Sequence, residues 1–106
     1  MKLLTKEIRN KIPKLYSQEK IKDPIVHVKF FTPWSDWTWY ATEGEPDIYE
    51  GKEVDFRFFG FVEGDFPEWG YFCLNELASV KNQFGLKIER DKWFEPQLFS
   101  NIQVRR

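Results

Sequence analysis

A chain of 106 residues makes one domain, large enough to bury a core without a disulfide or a metal but with little to spare. One cysteine, Cys73, excludes an internal disulfide, and with a single histidine beside it a zinc site lacks ligands. The net charge of −1 hides a segregation that can steer a charged partner: residues 1–29 carry eight Lys/Arg against three acids, and residues 43–68 nine acids against Lys52 and Arg57.

No apolar run approaches the roughly 18 residues of a membrane span, and MKLLTKEIRNK at the start lacks the apolar centre of a signal peptide. A soluble, cytoplasmic protein without membrane association is expected, and a lone thiol fits a reducing compartment. Hydrophobic residues at 42% and charged residues at 31% are ordinary for a globular chain, whereas aromatics reach 19%. Either the rings fill the core of a small sheet domain economically, or some of them form a binding surface.

Residues 6–12 read as a short helix with Thr5 as N-cap, because Leu4, Ile8 and Ile12 fall on one stripe at intervals of four. Pro13 stops it. Lys6, Arg9, Lys11 and Lys14 then line its outer side, as a solvated face or as a phosphate-contacting one. After a polar connection over 17–24, residues 26–31 and 37–43 are β-branched and aromatic runs joined by Thr32-Pro33-Trp34-Ser35-Asp36, which predicts a β-hairpin. Alternation puts Val26, Val28, Phe30, Trp37, Trp39 and Ala41 on a core face, with Lys29 and Tyr40 on the other.

Residues 44–54, GEPDIYEGKEV, hold two glycines, a proline and four acids and read as a long acidic surface loop. Its candidate contact residues are Glu45, Asp47, Tyr49 and Glu50, with Glu43 just before them. Residues 55–62 and 69–74 are third and fourth strands around the turn at 63–67, which completes an antiparallel meander. Both faces of the third strand are aromatic, so either both sheet faces are covered or one is a contact surface. Asn75 reads as the N-cap of a helix over 76–83 with the stripe Leu77, Val80 and Phe84, ended by Gly85. Residues 86–89 are extended, and Glu89-Arg90-Asp91-Lys92 is an alternating-charge run leading to Trp93 and Phe94. Pro96 can open a last helical turn with Leu98, Phe99 and Ile102, before a tail, Val104-Arg105-Arg106, expected to fray. The fold expected is α+β: a four-stranded antiparallel meander sheet with short helices near the N-terminus and after the fourth strand.

Four stretches in order, LLTKEIRNKIPKLY, PIVHVKFFTPWSDWTWYATE, FFGFVEGDFPEWGYFCLNELASV and GLKIERDKWFEP, resemble the bacterial and phage family catalogued as domain of unknown function 2958. The resemblance covers nearly the whole chain. It implies a small protein of plasmids, integrative elements and phages, carried beside genes for DNA transfer, modification or defence, and it implies no particular activity. Residues that match the family's pattern include Trp37, Trp39, Tyr40, Thr42, Glu43, Gly60, Gly70, Tyr71, Glu89, Arg90 and Asp91. Residues 44–55 depart from it, so no role for their acids follows.

Catalysis has no strong candidate among these residues, and no cofactor motif is present. Cys73 with His27 would need an exposed thiolate beside the imidazole, and Cys73 ends an aromatic strand where a buried thiol is the plainer reading. Glu43 with Asp55, or Glu89 with Asp91, could hold Mg²⁺ for hydrolysis, but acids so close to Arg90 more often form a salt-bridged surface. Single-stranded nucleic-acid binding would use Lys29, Tyr40, Arg57, Phe59 and Tyr71 as a stacking platform with cations beside it. An isoelectric point near 5.9 argues against a polyanion partner. A non-catalytic protein-binding module accounts for both anomalies: aromatics anchor an interface, and the acids steer toward a basic partner such as a nucleic-acid-handling enzyme. A homodimer closed by the same face is the alternative.

Overall fold

The Thr5 hydroxyl oxygen accepts from the Ile8 amide at 3.2 Å, the N-cap that the sequence predicts, and helix α1 runs over Lys6–Lys11. Ile12 leaves helical geometry with ψ 131, because the residue before a proline is pushed toward extended backbone. In the computed structural model, which describes residues 1–104, the chain continues through β1 (Ile25–Val26), β2 (Val28–Phe31), β3 (Thr38–Tyr49), β4 (Lys52–Glu63), β5 (Pro67–Cys73), α2 (Leu74–Ser79), β6 (Glu89–Arg90), β7 (Gln97–Leu98) and a 3-10 turn at Phe99–Asn101. Arg105 and Arg106, part of the tail expected to fray, lie outside the described residues.

The class is α+β, and β2 to β5 form the antiparallel meander. A fifth strand, β6, pairs with the outer edge of β2 and gives the order β5-β4-β3-β2-β6. A separate two-stranded ladder joins β1 to β7.

Residues 44–54 are not a loop. They form the distal half of a long β3–β4 hairpin, paired from Thr38 with Glu63 to Tyr49 with Lys52. The turn is Glu50-Gly51, with φ of 51 and 77, the two successive positive values that a tight hairpin turn needs. Pro46 does not break the strand. Beyond Ala41, β3 has lost β2 as a neighbour, and the Gly44 amide donates outward to the Pro13 carbonyl at 2.9 Å. Two residues on, the nitrogen of Pro46 faces that same outer edge, where a missing N–H costs no ladder bond.

Two further expectations are corrected. Helix α2 starts one residue before Asn75 and ends at Ser79, because Asn75 is engaged elsewhere: its side chain donates to the Val54 carbonyl and its amide to the Asp55 carboxylate, both at 3.0 Å. Phe84 and Gly85 belong to a turn in which the Asn82 side-chain oxygen accepts from the Phe84 and Leu86 amides at 2.9 Å, and Phe84 is exposed. Val26 leaves the face of Val28 and Phe30, since the chain is kinked at His27, whose amide donates to the Ala41 carbonyl at 2.8 Å.

The first face of the sheet carries the main core. Phe30, Phe56, Phe58 and Phe72 pack there with Trp39 and Val28, under Leu4 and Ile12 at the two ends of the α1 region and Leu77 of α2. Phe58 sits at its centre, with ring centroids 5.0, 5.3 and 5.4 Å from those of Phe56, Phe72 and Phe30. On the second face, Val26, Tyr40 and Phe61 form a smaller cluster beneath Phe94, Phe99, Ile102 and Val104 of the C-terminal segment.

Candidate functional site

Past Ala41 the β3–β4 register shifts by one residue, and a bulge of this kind re-aims the side chains that follow. It aligns Glu43, Phe59 and Tyr71 in one row across β3, β4 and β5. The stretch 13–24, which includes the polar connection expected over 17–24, lies over this row. It folds as successive turns, with Tyr16 in the left-handed region at φ 71.

Acids of β3 hold that stretch in place. The Glu43 carboxylate accepts from the Tyr16 amide at 2.8 Å and from the Gln18 amide at 2.7 Å. Glu45 accepts from the Leu15 amide at 3.0 Å. The Gln18 side chain in turn donates to the Thr42 carbonyl at 2.7 Å and accepts from the Ile25 amide at 3.1 Å. Irregular backbone laid on a sheet needs acceptors for its N–H groups, and charge-assisted bonds are the stronger kind. Glu43 is consequently buried, at 4% exposure.

Between this stretch and the sheet lies a cleft of about 390 Å³. Phe59, Trp69 and Tyr71 form its aromatic side and Tyr16, Glu19 and Lys22 its opposite rim, with Glu43 in the wall. The Phe59 and Trp69 rings stack at 6.0 Å, Tyr71 meets Phe59 edge-on at 5.0 Å, and Tyr16 lies 6.4 Å from Tyr71. Tyr16, Tyr71 and Trp69 remain 62%, 50% and 41% exposed. The Tyr71 phenol is held above its usual range, first by hydrogen bonding to Tyr16, then by loss of water and by the negative charges around it, Glu43 and Glu19 among them.

The expected site residues separate into four places. Glu43, Glu45 and Tyr71 come together at the cleft and its anchor. Tyr40 does not join them: it is 5% exposed, with Lys29 over its ring at 5.8 Å, so it has no face to offer a base. Burial, followed by the Glu63 carboxylate, holds its phenol well above the usual range.

Asp47, Tyr49, Glu50 and Arg57 lie along the hairpin arm, whose residues 48–54 are all exposed. Asp47 pairs with Arg57 at 3.4 Å, and Glu53 takes both guanidinium nitrogens of Arg9 at 2.6 and 2.8 Å. The acidic stretch and the basic N-terminus therefore meet within the molecule. Glu89, Arg90 and Asp91 occupy the far edge of the sheet. Arg90 donates to the Lys2 carbonyl at 2.5 Å, and Asp91 lies 3.9 Å from Lys29 and accepts from the Trp93 amide. Of the expected stacking platform, only Phe59 and Tyr71 share the cleft.

Cys73 ends β5, whereas His27 sits at the kink between β1 and β2. The Cys73 thiol is pushed up by burial first and then by Asp55, and His27 is pulled down by burial. Among the described residues, no three His, Cys, Asp or Glu side chains are grouped to hold a metal ion, and no helix is long and apolar enough to cross a membrane. Of the aromatic residues lining the cleft, Trp69 and Tyr16 were not among the expected ones. Trp69 was legible from its spacing of two from Tyr71 on one strand, whereas nothing in KLYSQEK marks Tyr16.

These features define a small α+β domain built on one antiparallel sheet, with helices on one face and an aromatic cleft on the other. The family model described as "Protein of unknown function (DUF2958)" matches residues 3–102, and the chain belongs to that family. No curated protein and no solved structure matches it.

Proposed function

We propose that this protein is a non-catalytic binding module, that its partner is another protein, and that the cleft on the second sheet face is the contact site. One observation carries this reading. The helices cover the first face and the C-terminal segment roofs Tyr40 and Phe61, yet Phe59, Trp69, Tyr71 and Tyr16 are left lining an open concavity. Concave sites with aromatic walls and a few placed polar groups are the usual form of a recognition site, and aromatic anchors dominate protein interfaces.

The hairpin arm offers a second contact, with Ile48, Tyr49 and Val54 exposed beside Glu50. The partner we favour presents a basic surface, and a nucleic-acid-handling enzyme is of that kind. Single-stranded nucleic acid is the weaker reading, because Lys29 and Arg57, the cations of the supposed platform, are engaged by Asp91 and Asp47.

The test is affinity capture of tagged protein from lysate of its host after nuclease treatment, with Tyr71→Ala and Trp69→Ala run beside it and a parallel sizing column. A specific protein recovered by the parent chain and lost from both variants is the expected result. Equal recovery by the variants overturns the assignment of the cleft, and recovery that disappears with nuclease moves the reading to nucleic acid. A homodimer on the sizing column that both variants dissolve would assign the cleft to a second copy.

A further inference from the structure

Resting on the binding-module reading, we infer that the cleft takes a cationic side chain of the partner, a lysine or an arginine. The geometry that points to it is a buried carboxylate without a counter-charge set in an aromatic wall. Glu43 is 4% exposed, and both of its oxygens are met by neutral amides, those of Tyr16 and Gln18. Among the described residues no Lys, Arg or His lies within ion-pair distance of it.

Neutral amides satisfy the oxygens of Glu43 but leave its negative charge uncancelled, so a cation brought beside it is attracted. The cleft has the shape to bring one. The faces and edges of Phe59, Trp69 and Tyr71 surround a volume suited to one long side chain, and cations lie favourably against such rings. A second carboxylate, Glu19, stands at the rim. The cleft is therefore lined by two carboxylates, Glu43 and Glu19, against the one cation Lys22.

Anionic occupants are disfavoured by the same features. A phosphate would sit beside Glu43 and Glu19 with Lys22, an exposed rim residue, as the one cation of the lining. A neutral apolar side chain would gain the ring contacts but leave Glu43 as it is.

The experiment is a titration of the full chain, followed by backbone amide NMR, with four probes: the Nα-acetyl methylamides of lysine, arginine and norleucine, and uridine monophosphate. The two cationic probes are expected to shift the amides of Tyr16, Gln18, Phe59 and Tyr71. They should bind at least about threefold tighter than the norleucine probe, and added salt should erode that margin. Glu19→Gln, an exposed substitution that leaves the Glu43 anchor intact, should narrow it further.

Norleucine binding as tightly as lysine at these amides overturns the cationic assignment and leaves the cleft as a site. Uridine monophosphate shifting them in place of the cations overturns the assignment and the protein-partner reading together. Cationic shifts scattered over the surface, or none at the cleft, also overturn the inference, and the capture experiment then decides the broader reading by itself.

Discussion

Phe58 and Phe59 are neighbours on β4 and meet opposite fates. Phe58 points to the first face, is fully buried and touches three other phenylalanine rings. Phe59 points to the second face and lines an open cleft. The two faces differ in what covers them. Two helices of six residues each suffice for one face, and irregular chain has to cover the other. Apolar side chains close the first face, whereas on the second the stretch beside the cleft is held by carboxylates that satisfy backbone amides. Covering of this kind is partial, and an aromatic surface beside it stays open.

The largest expected effects lie on the closed face. Phe58→Ala should cost about 3–5 kcal/mol of stability, and Phe59→Ala about 1–2 kcal/mol. Urea unfolding midpoints measure both, and equal losses would break the contrast. Gly60→Ala belongs with the severe class, because a Cβ there would lie 1.9 Å from the Tyr40 carbonyl oxygen, in a ladder with no room to shift.

The anchor of the second face comes next. Glu43→Ala leaves the Tyr16 and Gln18 amides without acceptors, at about 2–4 kcal/mol. Hydrogen exchange should quicken at those two amides while the β4 core stays protected. Glu43→Gln should fall between the parent and the alanine variant, since a carboxamide keeps one accepting oxygen where the carboxylate offers two. Uniform loss of protection across the whole sheet would show that Glu43 supports the core rather than the covering stretch.

Tyr71→Ala separates binding from folding. Its ring is half exposed, so stability should change by about 1 kcal/mol or less, while partner capture is lost. A variant that unfolds as readily as Phe58→Ala would place Tyr71 in the core and contradict the distinction between the faces.

Much of the first face was legible in the sequence. The alternation in residues 55–62, the Thr5 cap and the stripe of Leu4, Ile8 and Ile12 each report a local period that burial then uses. The acidic hairpin was not, because Pro46 and two glycines carry the composition of a loop, and only the loss of β2 as neighbour past Ala41 makes a proline harmless there. Nor was the cleft. Tyr16 and Glu43 are 27 residues apart in sequence, and their meeting depends on a bulge and a left-handed residue that no periodicity announces. The charge segregation misled for a related reason: Arg9 and Glu53 lie far apart along the chain and are paired in the fold.

The smallest expected effect concerns the place where the chain passes from one face to the other. Val26 belongs to the second-face cluster and Val28 to the first, and His27 sits at the kink between them with its pKa lowered by burial. A group whose pKa is depressed in the folded state favours folding above its unfolded value, near 6.5. That contribution is lost as pH falls through the folded value, because the unfolded chain takes up the proton first. Stability should therefore decline as pH drops below about 6.5, before the carboxylates titrate. His27→Gln should flatten this part of the profile and leave the loss at lower pH, where Glu53 gives up its pairing with Arg9. Parallel curves for the two proteins between pH 7 and the carboxylate range would mean that the imidazole charges without cost at the kink, and that the crossing is held by the His27 backbone bond to Ala41 alone.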